Sequence, residues 1–225
     1  DQVRDYVRGE DGTEVTLTIL SNQKTSDVTV TRGALDTSAF YEIRKQGNVS
    51  FGYIELSTFG TDTAKQVETA LEMFKKKNIQ TLVIDLRDNG GGYLTAATDI
   101  LDLFFTSDEV IYQMKEKNSA AKKYYAESDK KYEFENGYIL VNENTASASE
   151  LTAGALQSEK GYQLIGKTTY GKGSAQTQKT LSDGSVLKYT YAKWMIPNGT
   201  CINGKGLTPD EEVDNVSLSG ITTKD

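Results

Sequence analysis

An apolar strand that leads into a glycine turn and then into an amphipathic helix is the feature that most restricts the fold of this chain. Residues 81–86 (TLVIDL) form a nearly continuous apolar run, which is typical of a strand covered on both faces. Three glycines follow at 90–92, and the helical pattern after them has an apolar face from Leu94 to Phe104. Because parallel strands are joined through crossover helices, this unit predicts an α/β fold.

The alternation of strands and helices continues through most of the chain. In chain order the patterns predict a polar connector at 33–47, a strand at 49–59, a helix from Thr61 or Asp62 to Phe74, the strand and helix just described, a hairpin or flap at 110–136, and strands at 138–141, 162–166 and 185–194. Another helix is predicted after the serine-rich segment 145–150. These elements together predict a layered α/β core.

Residues 1–32 predict a helix followed by a hairpin. The helical stripe begins at Val3 and ends before Gly9, and alternating apolar residues run from Val15 to Val30 across a polar turn. Such a segment is too short to bury a core by itself. It is therefore either the end of a larger domain or a small subdomain native to the fold.

Composition limits the partners of the chain. The net charge of -7 argues against nucleic acid or an anionic membrane as the main partner, because phosphate binding needs a concentrated basic face. The lysine runs at 75–77 and 122–123 are interpreted as solvated faces. No run approaches the ~18 apolar residues of a membrane span, so the chain is not expected to be inserted in a membrane.

Two further features bear on processing and redox state. The chain begins at Asp1 with neither a methionine nor a basic leader, which predicts a processed or trimmed chain. Cys201 is the single cysteine. It excludes an internal disulfide and leaves the redox compartment undetermined.

The absence of histidine restricts the possible chemistry. The chain contains no histidine, so neither a Ser-His-Asp triad nor a histidine-based zinc site can form. A hydroxyl could still be activated by a carboxylate, or by a lysine that an apolar and electropositive setting keeps uncharged. Lys172, which lies between Gly171 and Gly173, is the candidate lysine.

A serine-rich segment at the start of a predicted helix provides the candidate nucleophile. Ser147 and Ser149 lie where helical N–H groups have no intrahelical partner, and such groups can hold the oxyanion of an acyl-transfer intermediate. The alternative is that one of these serines only caps the helix, with Glu150 or a neighbouring residue completing its first turn. Spacing alone does not decide between these interpretations.

The glycine run at 90–92 has several interpretations. A phosphate cradle is weakly supported, because the run is neither a GxGxxG nor a Walker sequence. A tight turn without any further role is the simplest alternative.

Two motifs and the spacing between them resemble those of a known protein family. Ser147-Ala148-Ser149-Glu150, with Tyr170-Gly171-Lys172-Gly173 downstream, resembles the motifs of the carboxy-terminal processing proteases, the tail-specific serine peptidases of family S41. Lys172 follows Ser147 by 25 residues, as the resemblance requires. Tyr170 stands where the family usually has phenylalanine, which keeps the aromatic ring.

The resemblance implies roles for individual residues. It makes Ser147 the nucleophile, Lys172 the general base and Gln176 the residue that orients the lysine amine. The run Asp-Leu-Arg-Asp-Asn at 85–89 with its glycines is similar to the oxyanion turn of the family. An N–H of Gly91, or less securely Gly92, would then act together with the N–H of Ala148. The chain has Gly90 where the family often has proline, so this register is open by one residue. The resemblance implies neither a metal nor a cofactor.

The same resemblance extends over most of the chain. It implies a ClpP-like or crotonase-like layered core, with a peptidase domain at 33–215 and a polar tail at 216–225. Residues 1–32 resemble the C-terminal part of a PDZ domain. The motif at 204–210 (GKGLTPD) is also similar to one in the family.

The function implied by the resemblance is that of a serine endopeptidase with a Ser-Lys dyad that cleaves near protein C-termini. Its partners would be unfolded or C-terminal polypeptide segments rather than nucleic acid, and a homo-oligomer is compatible with the family. The implied location is extracytoplasmic, in the periplasm or at the cell surface, with the full-length protein anchored to the membrane.

Two other classes of function are open. A non-catalytic binding or scaffold protein could use the same fold, although retention of serine, lysine and glutamine at matching positions favours an enzyme. An acyl-transfer enzyme of the crotonase type would need a nucleotide-cofactor site, and none is found in the sequence.

Overall fold

The chain divides into two units, residues 1–37 and residues 38–225. The computed structural model describes residues 6–7, 9–10, 12–21, 24–32, 38–129 and 132–214. The predicted tail at 216–225 and most of the predicted first helix lie outside the described residues.

The first unit contains the predicted hairpin. Strands β1 (Glu14–Ser21) and β2 (Lys24–Thr31) pair antiparallel, with Val15 opposite Val30. This confirms the hairpin. Its assignment to a PDZ domain stays a prediction.

The second unit alternates strands and helices as predicted. In chain order its elements are β3 (Ala39–Gln46), β4 (Val49–Leu56), α1 (Thr63–Lys76), β5 (Thr81–Asp85), α2 (Leu94–Leu101), β6 (Val110–Glu116), β7 (Lys122–Tyr125), β8 (Asn136–Val141), α3 (Ala148–Lys160), β9 (Gln163–Gly166), β10 (Ser174–Thr180), β11 (Val186–Met195) and β12 (Glu211–Glu212). None of the helices in the described part of the chain is long and apolar enough to cross a membrane.

The main sheet has six strands in the order β12-β9-β8-β5-β4-β3. Only β3 and β4 pair antiparallel, and the other neighbours are parallel. Strands β4, β5, β8 and β9 join the sheet in one direction, and right-handed crossovers therefore put α1, α2 and α3 on one face. In agreement, α1 contacts α2 and α2 contacts α3. The predicted α/β layered fold is confirmed.

The core lies between this sheet and the helices. Phe74 of α1 packs directly on β4 at Gly52, where a Cβ atom would lie 2.5 Å from the Phe74 ring. Leu82 and Ile84 of β5 are buried, as the apolar run predicts. The largest fully buried side chains also include Phe59, Phe104, Phe105, Leu56, Leu71, Leu86, Ile100 and Leu101.

One prediction is wrong in this unit. Residues 39–46 are not part of a polar connector but form β3, which pairs with β4 over its whole length from Ala39 opposite Leu56 to Gln46 opposite Val49. The strand lies at the edge of the sheet and is mostly exposed after Ala39. Its sequence therefore shows little apolar alternation.

A second sheet has four antiparallel strands in the order β10-β11-β6-β7. The hairpin of β6 and β7 confirms the prediction for this region. Strand β10 has no counterpart in the sequence predictions, because its residues (SAQTQKT) are all polar apart from Ala175. It forms through its pairing with β11.

The parallel strands determine where a site can form. The segments that follow β4, β5, β8 and β9 leave the sheet at the same edge, because parallel strands share the direction of their carboxyl ends. The turn at 90–92 follows β5, Ser147 follows β8 and Lys172 follows β9. The fold thus brings the three predicted parts of the site together.

Candidate active site

One pocket contains most of the predicted site residues. Ser147, Ala148, Lys172 and Gln176 line a cavity of about 320 Å³ together with Gly92. The remaining lining residues are Leu94, Tyr112, Met114, Leu151, Ser174, Ala175, Tyr191 and Trp194. A hydroxyl, an amine and an amide therefore face one partly apolar space.

Ser147 lies at the N-cap of α3 in a strained backbone conformation. Its φ of 61° and ψ of -119° fall outside the common regions for a residue with a side chain. Such a conformation costs on the order of 1–3 kcal/mol and persists only where neighbours fix it. Ser147 N–H donates to Glu150 Oε2 at 2.9 Å, and Ser147 O accepts from Leu151 N–H at 3.0 Å. Both contacts hold the serine at the pocket.

The environment of Ser149 differs from that of Ser147. Its side chain is fully buried, and its hydroxyl donates to the carbonyl of Asn89 at 2.9 Å. Ser147, in contrast, is partly exposed and lines the pocket. The structure thus separates the two serines that the sequence leaves open.

The glycine turn packs directly against Ser147. Gly91 has a φ of 96°, and a Cβ atom there would lie 2.8 Å from Ser147 Cβ and 2.9 Å from Ala148 N. Only glycine fits this position. The N–H of Gly91 donates to Asn89 Oδ1 at 2.9 Å. The N–H groups of Gly92 and Ala148 have no hydrogen-bond partner within the described residues.

Asn89 fixes this turn from inside the protein. It is fully buried, and its Nδ2 donates to the carbonyl of Leu56 at 2.7 Å. The backbone carbonyl of Asn89 accepts hydrogen bonds from Ala146 N–H, at 3.0 Å, and from the Ser149 hydroxyl. One asparagine therefore connects the glycine turn to β4 and to the segment that carries Ser147.

Asp88 adds a second connection between the same segments. Its Oδ1 accepts from Asn144 Nδ2 at 2.8 Å and from Asn142 Nδ2 at 2.9 Å. These hydrogen bonds, from Asn144 most of all, lower the pKa of the Asp88 carboxyl. The carboxylate thus holds the loop between β8 and Ser147.

A partly buried ion pair supports the start of the glycine turn. Asp85 is 3% exposed. Its carboxylate accepts a hydrogen bond of 2.7 Å from the Tyr53 hydroxyl and a second hydrogen bond from Arg87 Nε. The hydrogen bond to Asp85 raises the pKa of Arg87, and burial, followed by Asp85, raises the pKa of Tyr53. Both shifts preserve the charged pair and the neutral phenol at ordinary pH.

The side chain of Glu150 connects the serine segment to the lysine segment. The carboxylate is fully buried and accepts four hydrogen bonds, from Ser147 N–H at 2.9 Å, Lys172 N–H at 2.8 Å, Gly171 N–H at 2.7 Å and Thr169 Oγ1 at 2.6 Å. From the sequence, only a capping role is predicted for this residue. The Ser-x-x-Glu spacing signals the bond to Ser147, but no local pattern signals the other three.

The motif at 204–210 supports the lysine segment from its other side. Gly204 N–H donates to the carbonyl of Gly171 at 2.8 Å, and Leu207 N–H donates to Thr169 Oγ1 at 2.7 Å. Leu207 itself is buried. The backbone of residues 169–173 is therefore fixed between two neighbouring segments.

The side chain of Lys172 is less constrained than its backbone. It is exposed, and it forms a hydrogen bond with neither Ser147 nor Gln176. The apolar enclosure expected from the sequence is only partial, because Lys172 lines the partly apolar pocket but is itself exposed. Its backbone N–H, in contrast, is held by the hydrogen bond to Glu150.

The layered fold and this pocket define a class of protein. A serine at a helix N-terminus, an amine on a glycine-flanked segment and free N–H groups beside the serine are the parts needed for nucleophilic attack on a carbonyl group. Comparison with known proteins gives the family. The model of peptidase family S41 matches residues 50–213, most of the chain, and the chain belongs to this family.

Individual relatives agree with this assignment. The chain is 34% identical over 224 residues to a probable CtpA-like serine protease of Staphylococcus haemolyticus. This alignment covers 99% of the chain and 44% of the relative. A protein of the same description from Staphylococcus epidermidis is 36% identical over 214 residues, or 95% of the chain and 43% of the relative. The chain thus spans less than half the length of these relatives.

A solved structure confirms the fold. The photosystem II D1 C-terminal processing protease superposes with a TM-score of 0.70 at 26% identity, covering 92% of the chain and 57% of that protein. The family resemblance noted in the sequence is therefore confirmed, and family membership supports a peptidase.

Proposed function

We propose that the chain hydrolyses peptide bonds with Ser147 as nucleophile and Lys172 as general base. The observation that carries this proposal is the shared carboxylate of Glu150, which binds the N–H groups of both residues at the edge of one pocket. This carboxylate links the backbones of the two segments, which supports a common site for the hydroxyl and the amine.

In this mechanism an uncharged Lys172 amine accepts the proton of the Ser147 hydroxyl while the serine oxygen attacks the substrate carbonyl. Lys172 then gives the proton to the leaving amine and later activates the water that releases the acyl group. The amine is exposed in the free chain. A peptide that covers the pocket would exclude water from it, which favours its uncharged form. Gln176, on the same pocket wall, would orient it.

The oxyanion of the intermediate needs two N–H donors. Ala148 N–H is one, because it is free at the start of α3 next to the nucleophile. Gly91 lies closest to Ser147 but donates to Asn89, whereas Gly92 lines the pocket and has a free N–H among the described residues. We therefore favour Gly92 as the second donor, with Gly91 available only if its bond to Asn89 breaks.

The substrates proposed are unfolded or C-terminal polypeptide segments. Strand β10 begins two residues after Lys172 and lies at the edge of its sheet, so an extended peptide could pair with it and pass the pocket. Cleavage near C-termini, an extracytoplasmic location and assembly into a homo-oligomer remain proposals for the longer protein. They rest on the family and on the relatives named above.

Casein digestion tests the proposal. We expect the chain to produce fragments and Ser147→Ala to abolish them. Ser174→Ala is the matched control, because Ser174 lines the same pocket without an assigned role. Lys172→Ala should lose activity as well, with circular dichroism unchanged. Undiminished digestion by folded Ser147→Ala would overturn the proposal.

One observation favours a non-catalytic binding protein on the same fold. Ser147 and Lys172 are not hydrogen-bonded in this structure, and the amine is exposed. A binding protein would retain peptides without turnover, and Ser147→Ala would leave binding unchanged. Binding of casein without fragments by the unaltered chain would select this alternative.

A further inference from the structure

The four-stranded sheet carries a charge opposite to that of the whole chain. Residues 110–125 and 174–195, which contain its strands and their turns, include seven lysines and two acidic residues, whereas the chain has a net charge of -7. The lysines are Lys115, Lys117, Lys122, Lys123, Lys179, Lys188 and Lys193, and all are exposed. The net charge of the chain therefore conceals a concentrated basic region.

These lysines are not neutralised within the protein. None of the seven forms an ion pair with a carboxylate in the part of the chain that the structure describes. Lys193 of β11 lies directly opposite Lys115 of β6, an arrangement of like charges that destabilises a strand pair. The fold gains nothing from this arrangement, which points to an external partner of negative charge.

The end of the sheet is a ribbon of two strands. Strand β6 pairs with β11 only from Ala192 to Met195, so the remainder of β11 pairs with β10 alone. Every residue from 178 to 191 is exposed. We call residues 176–191 the ribbon. It extends from the body of the unit with both faces open to solvent.

The tip of the ribbon is apolar. Leu181, Val186 and Leu187 flank its turn and are 41%, 58% and 49% exposed. Lys179 and Lys188 lie directly behind them in sequence. Tyrosines 189 and 191 follow, at 43% and 40% exposure. An apolar tip, then lysines, then tyrosines is the order of side chains that suits a membrane interface, where aliphatic groups enter the acyl boundary and lysines meet lipid phosphates.

We propose that the ribbon binds the surface of an anionic lipid bilayer, with the tip at Leu181, Val186 and Leu187 inserted among the headgroups and the other lysines of the sheet adding electrostatic attraction to that surface. An acidic polypeptide would also attract lysines. The lysines are spread over four strands, however, and the apolar groups are at a protruding tip rather than in a groove, so a broad anionic surface fits them better.

The length of the ribbon determines the distance between a bound bilayer and the pocket. Strand β10 has seven residues, which at ~3.3 Å per residue span roughly 23 Å, and it begins beside Lys172. A bilayer held at the tip is thus about one strand length from the candidate dyad. Insofar as the proposed peptidase function holds, polypeptides emerging from that bilayer are its substrates.

Vesicle sedimentation tests membrane binding without reference to catalysis. The chain is mixed with vesicles of phosphatidylcholine alone or of phosphatidylcholine and phosphatidylglycerol in equal parts. We expect binding to the anionic vesicles only. Raising the ionic strength from about 0.1 M to about 1 M shortens the Debye length from ~10 to ~3 Å and should release most of the protein.

Two matched pairs of variants locate the surface. Lys179→Gln with Lys188→Gln should weaken binding about 25-fold, because each lysine near an anionic surface contributes about fivefold. Lys76→Gln with Lys77→Gln changes the net charge equally at the end of α1 and should have little effect. Val186→Ser should also weaken binding, whereas Val49→Ser, at a valine of 57% exposure on the β3–β4 hairpin, should not.

Several results would overturn the proposal. The absence of binding to anionic vesicles would do so, and so would equal losses in the ribbon variants and their controls. If light scattering shows a dimer that Val186→Ser dissociates, the tip is an interface with a second copy. Retention of poly-glutamate but not of vesicles would identify an acidic polypeptide as the partner. Ser147→Ala should bind vesicles normally, so failure of the peptidase proposal is distinguishable from failure of this one.

Discussion

Glu150 and Lys172 are joined by a hydrogen bond of 2.8 Å from the lysine N–H to Oε2 of the carboxylate. The same oxygen accepts the N–H of Ser147. Glu150 thus determines the separation of the two segments that carry the candidate dyad, although its side chain is buried away from the pocket lining.

Replacing Glu150 by glutamine tests this positioning role. The amide offers one acceptor oxygen and two donors where four donors converge on a carboxylate, so two of the four donors, at least one of them a backbone N–H group, lose their acceptor. We expect kcat for casein-derived peptides to fall by ~10²-fold, the scale associated with a misplacement of about 1 Å. KM should change much less.

The control for Glu150→Gln is Glu159→Gln, an exposed glutamate on the same helix. It should leave kcat unchanged. A Glu150→Gln variant that unfolds at lower urea yet retains full kcat in its folded form would show that Glu150 acts on stability alone.

The second prediction concerns the turn beside Ser147. Gly91→Ala would place a Cβ atom 2.7 Å from the carbonyl of Ala146 and 2.8 Å from Ser147 Cβ, at a φ of 96°. We expect a loss of stability of ~1–3 kcal/mol and a loss of activity of ~10²-fold or more because the serine is displaced.

Gly90→Ala provides the comparison one residue earlier. A Cβ atom at Gly90 has no neighbour within 4 Å, so this variant should resemble the unaltered chain in urea denaturation and in peptide hydrolysis. Equal activity of the two alanine variants would contradict the close packing of the turn on Ser147.

The sequence predicts the fold, and most of the site residues predicted from it line the candidate pocket, but it does not predict the contacts that hold these residues in place. The apolar run at 81–86 and the helix that starts at Ala148 have local patterns, and both were predicted. Strand β10 has none, because polar side chains suffice for a solvent-exposed ribbon. The bonds of Glu150 to Gly171 and Lys172 join residues more than twenty positions apart, and such contacts follow only from the packing of β8 beside β9.

The third prediction concerns acid stability. Glu109 Oε1 and Oε2 each lie 2.7 Å from Lys160 Nζ, and the Lys160 side chain is 13% exposed. Burial raises the pKa of Glu109, but the bonds from Lys160 and Thr106 outweigh it and hold the pKa below its usual value of 4.5. The pair therefore stabilises the fold fully above about pH 4.5, and the contribution disappears as the pH falls through the lower folded pKa.

Glu109→Gln should reduce the free energy of unfolding at pH 7 by about 1–2 kcal/mol, a value reduced from that of a buried pair because Glu109 is partly exposed. The difference from the unaltered chain should shrink in urea denaturation below pH 4. Glu72→Gln removes the exposed pair with Lys76 at 3.9 Å and should cost less than ~0.5 kcal/mol. An equal cost for both variants would contradict a special role for Lys160.

The last prediction concerns the side chain accepted next to the cleaved bond. Tyr112, Met114 and Trp194 form an apolar wall of the pocket, and burial raises the pKa of Tyr112 to about 12, so the wall stays uncharged at ordinary pH. Peptides with an apolar residue at this position should therefore be cleaved faster than those with an acidic residue. Met114→Lys should reduce kcat/KM for the apolar peptides by ~10–100-fold and raise it for the acidic ones. Leu187→Lys adds the same charge to the same sheet at the ribbon tip and should leave the preference unchanged. If both variants shift the preference equally, long-range charge rather than the pocket wall selects the substrate.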